Sequence, residues 1–181
     1  MSRTVATLPA ALRVKADRFV SEHVHLMLDW RDLDAKRGEY ELRVRGSEDG
    51  GFDIAAEIRT YGIYPLVDER PLGWSWDTAS PLSIEQICDQ FLSLVRATLS
   101  RDCRIRRKLL AGQVCDSVIE AASPQGWQVV DGLSLGFFRR WRLRNRRDID
   151  EGILQNEVLP PVGFAVGLET WDNFVFRRHV R

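Results

Sequence analysis

The chain has 181 residues, and its 26 Lys+Arg balance 26 Asp+Glu to a formal net charge of zero with 44% of residues hydrophobic. A chain of this length buries roughly 70% of the surface its unfolded form exposes, so a single domain needs no disulfide or metal for stability. The even mixture of charged and apolar residues excludes a disordered polyelectrolyte, a collagen-like or low-complexity chain and a globally basic protein.

Cys88, Cys103 and Cys115 are odd in number and have neither metal-site nor disulfide-scaffold spacing, which fits a reducing, cytoplasmic setting. Charged residues from Arg3 to Arg18 interrupt any apolar run of signal-peptide length, and no stretch approaches the eighteen or so apolar residues of a membrane span. Neither a secretory leader nor membrane attachment is expected. The basic residues are 23 Arg against 3 Lys, which points to a GC-rich bacterial or phage genome.

From Leu12 the apolar residues Leu12, Ala16, Phe19, Val20, Val24, Met27 and Leu28 recur at spacings of three and four, predicting an amphipathic helix to about Leu33 that starts near Pro9. Val24, Leu26, Leu28 and Trp30 also alternate as a strand would, but the helical pattern covers more residues. Two strands follow, Tyr40-Leu42-Val44 and Phe52-Ile54-Ala56-Ile58, joined through the turn residues Gly46 to Gly51. Leu72, Trp74 and Trp76 alternate as a third strand of an antiparallel meander, with these tryptophans expected in the core rather than as an exposed anchor. Ser80 to Ser83 then offer caps for a helix whose stripe is Ile84, Ile87, Cys88, Phe91, Leu92, Val95 and Leu99. The spacing of four through Leu110, Val114, Val118 and Ala122 predicts another helix within residues 105–122, ended by Pro124 and Gly126. Strand-like segments follow at Trp127 to Val130, Leu133 to Leu143, Val162 to Glu169 and Phe174 to Arg178, with a short helix from Asp148 to Gln155. Strands before and after helices imply an α+β fold: an N-terminal helix, an antiparallel three-stranded meander, one or two central helices and C-terminal antiparallel strands. Residues 1–181 are expected to form one compact domain, any subdivision falling near 123–126.

Gly132-Leu133-Ser134-Leu135-Gly136 is a literal G-x-S-x-G and resembles the nucleophile elbow of α/β-hydrolases. With Ser134 as nucleophile, Asp148, Asp150 or Asp172 supplies the acid and His179 the base in the matching chain order. Bulky residues from Phe137 to Leu143 alternate where that fold starts a helix, and no oxyanion segment precedes the motif, so a glycine-flanked strand bend explains it better.

Arg139, Arg140, Arg142, Arg144, Arg146 and Arg147 place six arginines in nine residues, interleaved with Trp141 and preceded by Phe137 and Phe138. Guanidinium groups grip phosphate bidentately and stack on bases, so this composition suits single-stranded nucleic acid, an acidic protein partner or merely a solvated strand face. Arg104, Arg106, Arg107 and Lys108 form a second basic cluster. His23 and His25 diverge by about 200° on a helix and lack other ligands, so no metal site is expected. Asp148, Asp150 and Glu151 lack the glycine and distal Glu of a calcium loop and are read as acids at a helix start. No phosphate-cradling glycine loop occurs, so no nucleotide or other cofactor is expected.

The absence of convergent catalytic groups favours a non-catalytic macromolecule-binding protein of the adaptor, assembly or toxin-neutralising kind, its partner another protein. Nucleic-acid binding through Arg139 to Arg147 is the alternative, and a Ser134 hydrolase the second. The zero net charge hides a gradient that any such surface would use: residues 101–147 hold 11 basic and 4 acidic groups, net +7.

Overall fold

A computed structural model describes residues 7–46, 51–73, 75–110, 112–133 and 149–161. Helix α1 (Leu8–Ser21) buries Leu8, Leu12, Ala16 and Phe19 and ends where Glu22 caps back to Arg18. The predicted continuation to Leu33 is instead strand β1 (Leu26–Asp34). The reason is burial: the helical stripe would bury Val24 and Met27, which are 84% and 47% exposed, whereas the alternating Leu26, Leu28 and Trp30 pack on the core. Strands β2 (Glu39–Gly46) and β3 (Ile54–Arg59) fall where the alternation places them, with Leu42, Val44, Ile54, Ala56 and Ile58 buried.

The third long strand is β4 (Gly62–Val67) and not the 72–76 segment, which lies after the two-residue strand β5 (Arg70–Pro71) and contributes only Trp76 to the two-residue strand β6 (Trp76–Asp77). Pro65 disguises β4, because proline removes a ladder donor. Here its carbonyl accepts from Leu72, so its missing N–H faces the short β5 side and leaves the β3 ladder intact. The first sheet runs β1-β2-β3-β4-β5, antiparallel throughout, with β6 also on β4. Leu72 and Trp76 are buried as expected, Trp76 meeting Phe91 edge-on at 6.0 Å and donating to Gln90 at 2.7 Å. Trp74 lies outside the described residues.

Helix α2 (Ile84–Thr98) starts at Ser83 with a full capping box to Gln86 and buries Ile87, Cys88, Phe91, Leu94 and Val95. The helix predicted within 105–122 is a hairpin, β7 (Cys103–Leu110) and β8 (Gln113–Ser123), turning at Gly112 with φ +76°. A spacing of four is also a multiple of two, so Val118 and Ala122 share one face of a strand as readily as of a helix. Strand β9 (Gly126–Leu133) follows the turn at 123–126, and β10 (Ile149–Gln155) replaces the predicted helix, so Asp150 and Glu151 cap nothing. In that segment the antiparallel ladder from Ile149–Leu110 to Gln155–Arg104 supplies the hydrogen bonds a helix would have made internally.

The second sheet is ordered β10-β7-β8-β9. Its inner face supplies Cys103, Ile105 and Ile119 to the same buried cluster as both helices and the first sheet, an α+β arrangement around one core. Segments 134–143, 162–169 and 174–178, read as strands from sequence wholly or in part, lie outside the described residues.

Candidate functional site

Along β7 the buried Cys103 and Ile105 alternate with Arg104 and Arg106, so these two arginines stand on the outer face of the second sheet. Register fills in the face around them: Gln155, Arg104, Glu120 and Val129 form one row across the four strands, and Ile153, Arg106, Val118 and Gly132 the next. Glu120 is the centre. Its Oε2 accepts from Arg104 Nε at 2.7 Å and its Oε1 from Arg106 Nε at 2.9 Å, while Arg104 also covers the Trp127 ring at 4.1 Å.

Only 4% of Glu120 is exposed. Burial pushes its carboxyl up, but the hydrogen bonds and charges of Arg104 and Arg106 outweigh this and hold it below the ordinary carboxylate range. A depressed folded value means that ionised Glu120 stabilises the protein above the unfolded carboxyl range, roughly pH 4–5, and that this contribution is lost as pH falls through the lower folded value. Thermal melts from neutral to acid pH are therefore expected to separate wild type from Glu120→Gln at neutrality and to bring the two curves together in acid. Parallel curves would show that Glu120 titrates alike in both states.

The neighbouring Arg107 points the other way, out of register with this face, and pairs with Asp68 in the β4–β5 turn of the first sheet, where Asp68 and Glu69 both have positive φ. Three of the four predicted basic residues thus already hold an internal carboxylate, two of them the same one. Around this ion-paired centre, which keeps one net positive charge, the outer face exposes Trp127, Val129 and Ile153, the last two by 56% and 54%. Sequence reading missed Glu120, Trp127, Val129 and Ile153 as a group, because taking 105–122 as a helix removes the register that unites them.

The longer arginine run, Arg139 to Arg147 with Trp141, lies outside the described residues, as do Ser134, Asp148, Asp172 and His179. Strands β9, ending at Leu133, and β10, beginning at Ile149, are the two edges of this sheet. Asp150 is exposed on β10. His23 bonds the Phe19 carbonyl from its Nδ1 at 2.7 Å, and His25 is exposed in the turn before β1. Among the described residues no group of three or more His, Cys, Asp and Glu is placed to hold a metal ion, and no helix is long and apolar enough to cross a membrane. The Cys88 and Cys103 thiols are buried, and burial pushes them up to about 11 and about 12, so both stay protonated and weakly nucleophilic at neutral pH.

Compared with known proteins, the chain matches no family model, no curated protein and no solved structure.

Proposed function

We propose that the protein is non-catalytic and binds another protein through the outer face of β10-β7-β8-β9. The observation that supports this is the pairing of exposed Trp127, Val129 and Ile153 with Arg104 and Arg106, both of which are ion-paired to Glu120. Rigid aromatic and aliphatic side chains beside Arg are what interface centres use, and arginines that already share a carboxylate would not be buried as bare charges. Nucleic acid is the less supported reading, since phosphate binding draws on many unpaired cations, and here Arg104 and Arg106 are committed to a carboxylate. Three unpaired cysteines support a cytoplasmic setting, and the excess of Arg over Lys a bacterial or phage origin.

Affinity capture from the native host is expected to retain a stoichiometric protein on wild type and to lose it with Val129→Asp/Ile153→Asp. Val14→Asp, more exposed but on α1, is expected to keep it. Capture indifferent to the sheet substitutions ends the proposal. Salt-dependent retention of single-stranded RNA or DNA that falls with Arg140→Ala/Arg142→Ala/Arg144→Ala would favour the nucleic-acid reading instead. Labelling by a fluorophosphonate that vanishes in Ser134→Ala would favour the hydrolase.

A further inference from the structure

A cleft of about 290 Å³ opens where the start of α1 meets β1, β2 and the residue after β3; its lining includes Pro9, Ala10, Arg13, Trp30, Tyr40 and Thr60. This is close to the lower bound of small-molecule pockets, roughly 300 Å³.

Two walls are aromatic. Trp30 and Tyr40 sit opposite the buried Leu42 and Ile58 in the β1–β2 and β2–β3 ladders, so they continue the helix-facing side of the first sheet beyond the core. They meet edge-on, with ring centroids 6.5 Å apart and planes at 84°. Above them the Arg13 guanidinium lies 5.0 Å from the Trp30 ring centre and 5.9 Å from that of Tyr40.

Arg13 enters none of the ion pairs among the described residues. It lies over the rings, and among the described residues its N–H groups meet no acceptor, an arrangement that leaves its bidentate edge open. The third wall is the first turn of α1, where Thr7 makes no side-chain cap and no acidic residue occurs. The first-turn amide of Ala10 lacks an intrahelical acceptor by construction, and its neighbour Pro9 has no N–H to offer. A guanidinium that enters no ion pair among the described residues and the first turn of α1, through Pro9 and Ala10, thus line one aromatic cleft.

We propose that this cleft binds a small organic anion, whose carboxylate or phosphate oxygens are taken by Arg13 and the Ala10 amide in the first turn of α1 and whose flat apolar body lies against Pro9, Trp30 and Tyr40. The site is separate from the outer face of the second sheet, and its occupation does not depend on that face binding a protein.

Amide and indole NMR shifts of the full chain, titrated with benzoate, phenyl phosphate and the neutral control benzyl alcohol, test this. At least one anion is expected to give saturable shifts at Ala10 and the Trp30 indole, and benzyl alcohol none. Which anion binds more tightly distinguishes a carboxylate from a phosphate ligand. Arg13→Gln, an exposed helix position, is expected to weaken the anion about 10- to 100-fold, the value of a hydrogen bond to a charged group. Ala10→Glu sets a carboxylate at the third position of α1, where the helix end favours it, so binding should be lost with the melting temperature unchanged or raised. Absence of saturation by both anions up to about 10 mM, shifts equal to those with benzyl alcohol, or an Arg13→Gln variant that binds as wild type would each overturn the proposal.

Discussion

Arg104→Ala/Arg106→Ala is expected to destabilise the protein by about 3–5 kcal/mol, measured by urea or thermal unfolding. The two arginines supply the side-chain hydrogen bonds of Glu120, whose side chain is 5% exposed, while they themselves are 20% and 30% exposed. Removing both leaves a buried carboxylate without a counter-charge, which must either stay ionised in a poor environment or take up a proton. The first outcome costs stability at all pH values above the carboxyl range; the second raises the carboxyl above its ordinary value and reverses the acid dependence. Either single substitution leaves one Nε–carboxylate bond in place and should cost about 1–3 kcal/mol. The losses are therefore expected to be non-additive, because all three side chains belong to one network. Arg104→Ala has a further consequence, since it uncovers the Trp127 ring. A triple replacement, Glu120→Leu with Arg104→Met and Arg106→Leu, should restore much of the lost stability, as apolar substitutes for a buried ion triad commonly do. That variant separates the stabilising role of the network from a binding role: a stable triple variant that no longer captures the partner shows that the charges are read from outside. A double Ala variant as stable as wild type would mean that solvent reaches Glu120 freely.

Why this network escaped sequence reading is instructive about where local patterns fail. Arg104 and Glu120 are 16 residues apart, and only the antiparallel register of β7 and β8 makes them neighbours. The spacing of Leu110, Val114, Val118 and Ala122 satisfies both periods, and Gly112 is the one local mark of a turn. A positive φ at that glycine decides in favour of the hairpin, but φ is not written in the composition. The same ambiguity extended α1 past Ser21, where the end of the helix is fixed by the pairing of β1 with β2 and not by any proline or glycine. By contrast α2 was legible to within a residue, because its apolar stripe, its capping Ser83 and Gln86 and its length all agree. The β2–β3 pair was legible for the analogous reason at period two. The basic character of residues 104–108 was also visible, but its meaning depended on which groups each side chain meets, and alternation sends Arg107 to Asp68 while Arg104 and Arg106 turn outward. The Trp30–Tyr40–Arg13 cleft draws on three elements, and none of its residues forms a motif in the chain.

One buried amide helps tie the two sheets together. Asn156, 4% exposed just beyond β10, donates through Nδ2 to the Phe52 carbonyl at 2.8 Å and the Thr98 carbonyl at 3.0 Å, and its Oδ1 accepts from Phe52 N–H at 3.1 Å. It thereby ties the second sheet to the entry of β3 and the end of α2 with all its donors and one acceptor used. The chain can come this close only because Gly51 lacks a side chain: an added Cβ there would overlap the Asn156 amide. Gly46 does the same for Val158, and Leu159 N–H then reaches the Leu99 carbonyl at 2.9 Å. Asn156→Ala orphans three buried backbone groups, and with about 1–3 kcal/mol for each, partly recovered by water entering the space vacated, the expected loss is about 3–5 kcal/mol. Asn156→Asp should be no better, since a carboxylate cannot donate to the two carbonyls and brings a charge to a buried site. Gly51→Ala should reproduce the defect without touching the amide itself, which guards against ascribing the loss to the volume of Asn156 alone. Hydrogen exchange locates the damage. Faster exchange is expected at Phe52, Leu159 and the β10 ladder while β2, β3 and β4 keep their protection, because the first sheet and its helices retain their own buried contacts. Uniform loss of protection would instead show that the two sheets unfold as one unit, and a destabilisation below about 1 kcal/mol would show that water replaces the amide in the joint.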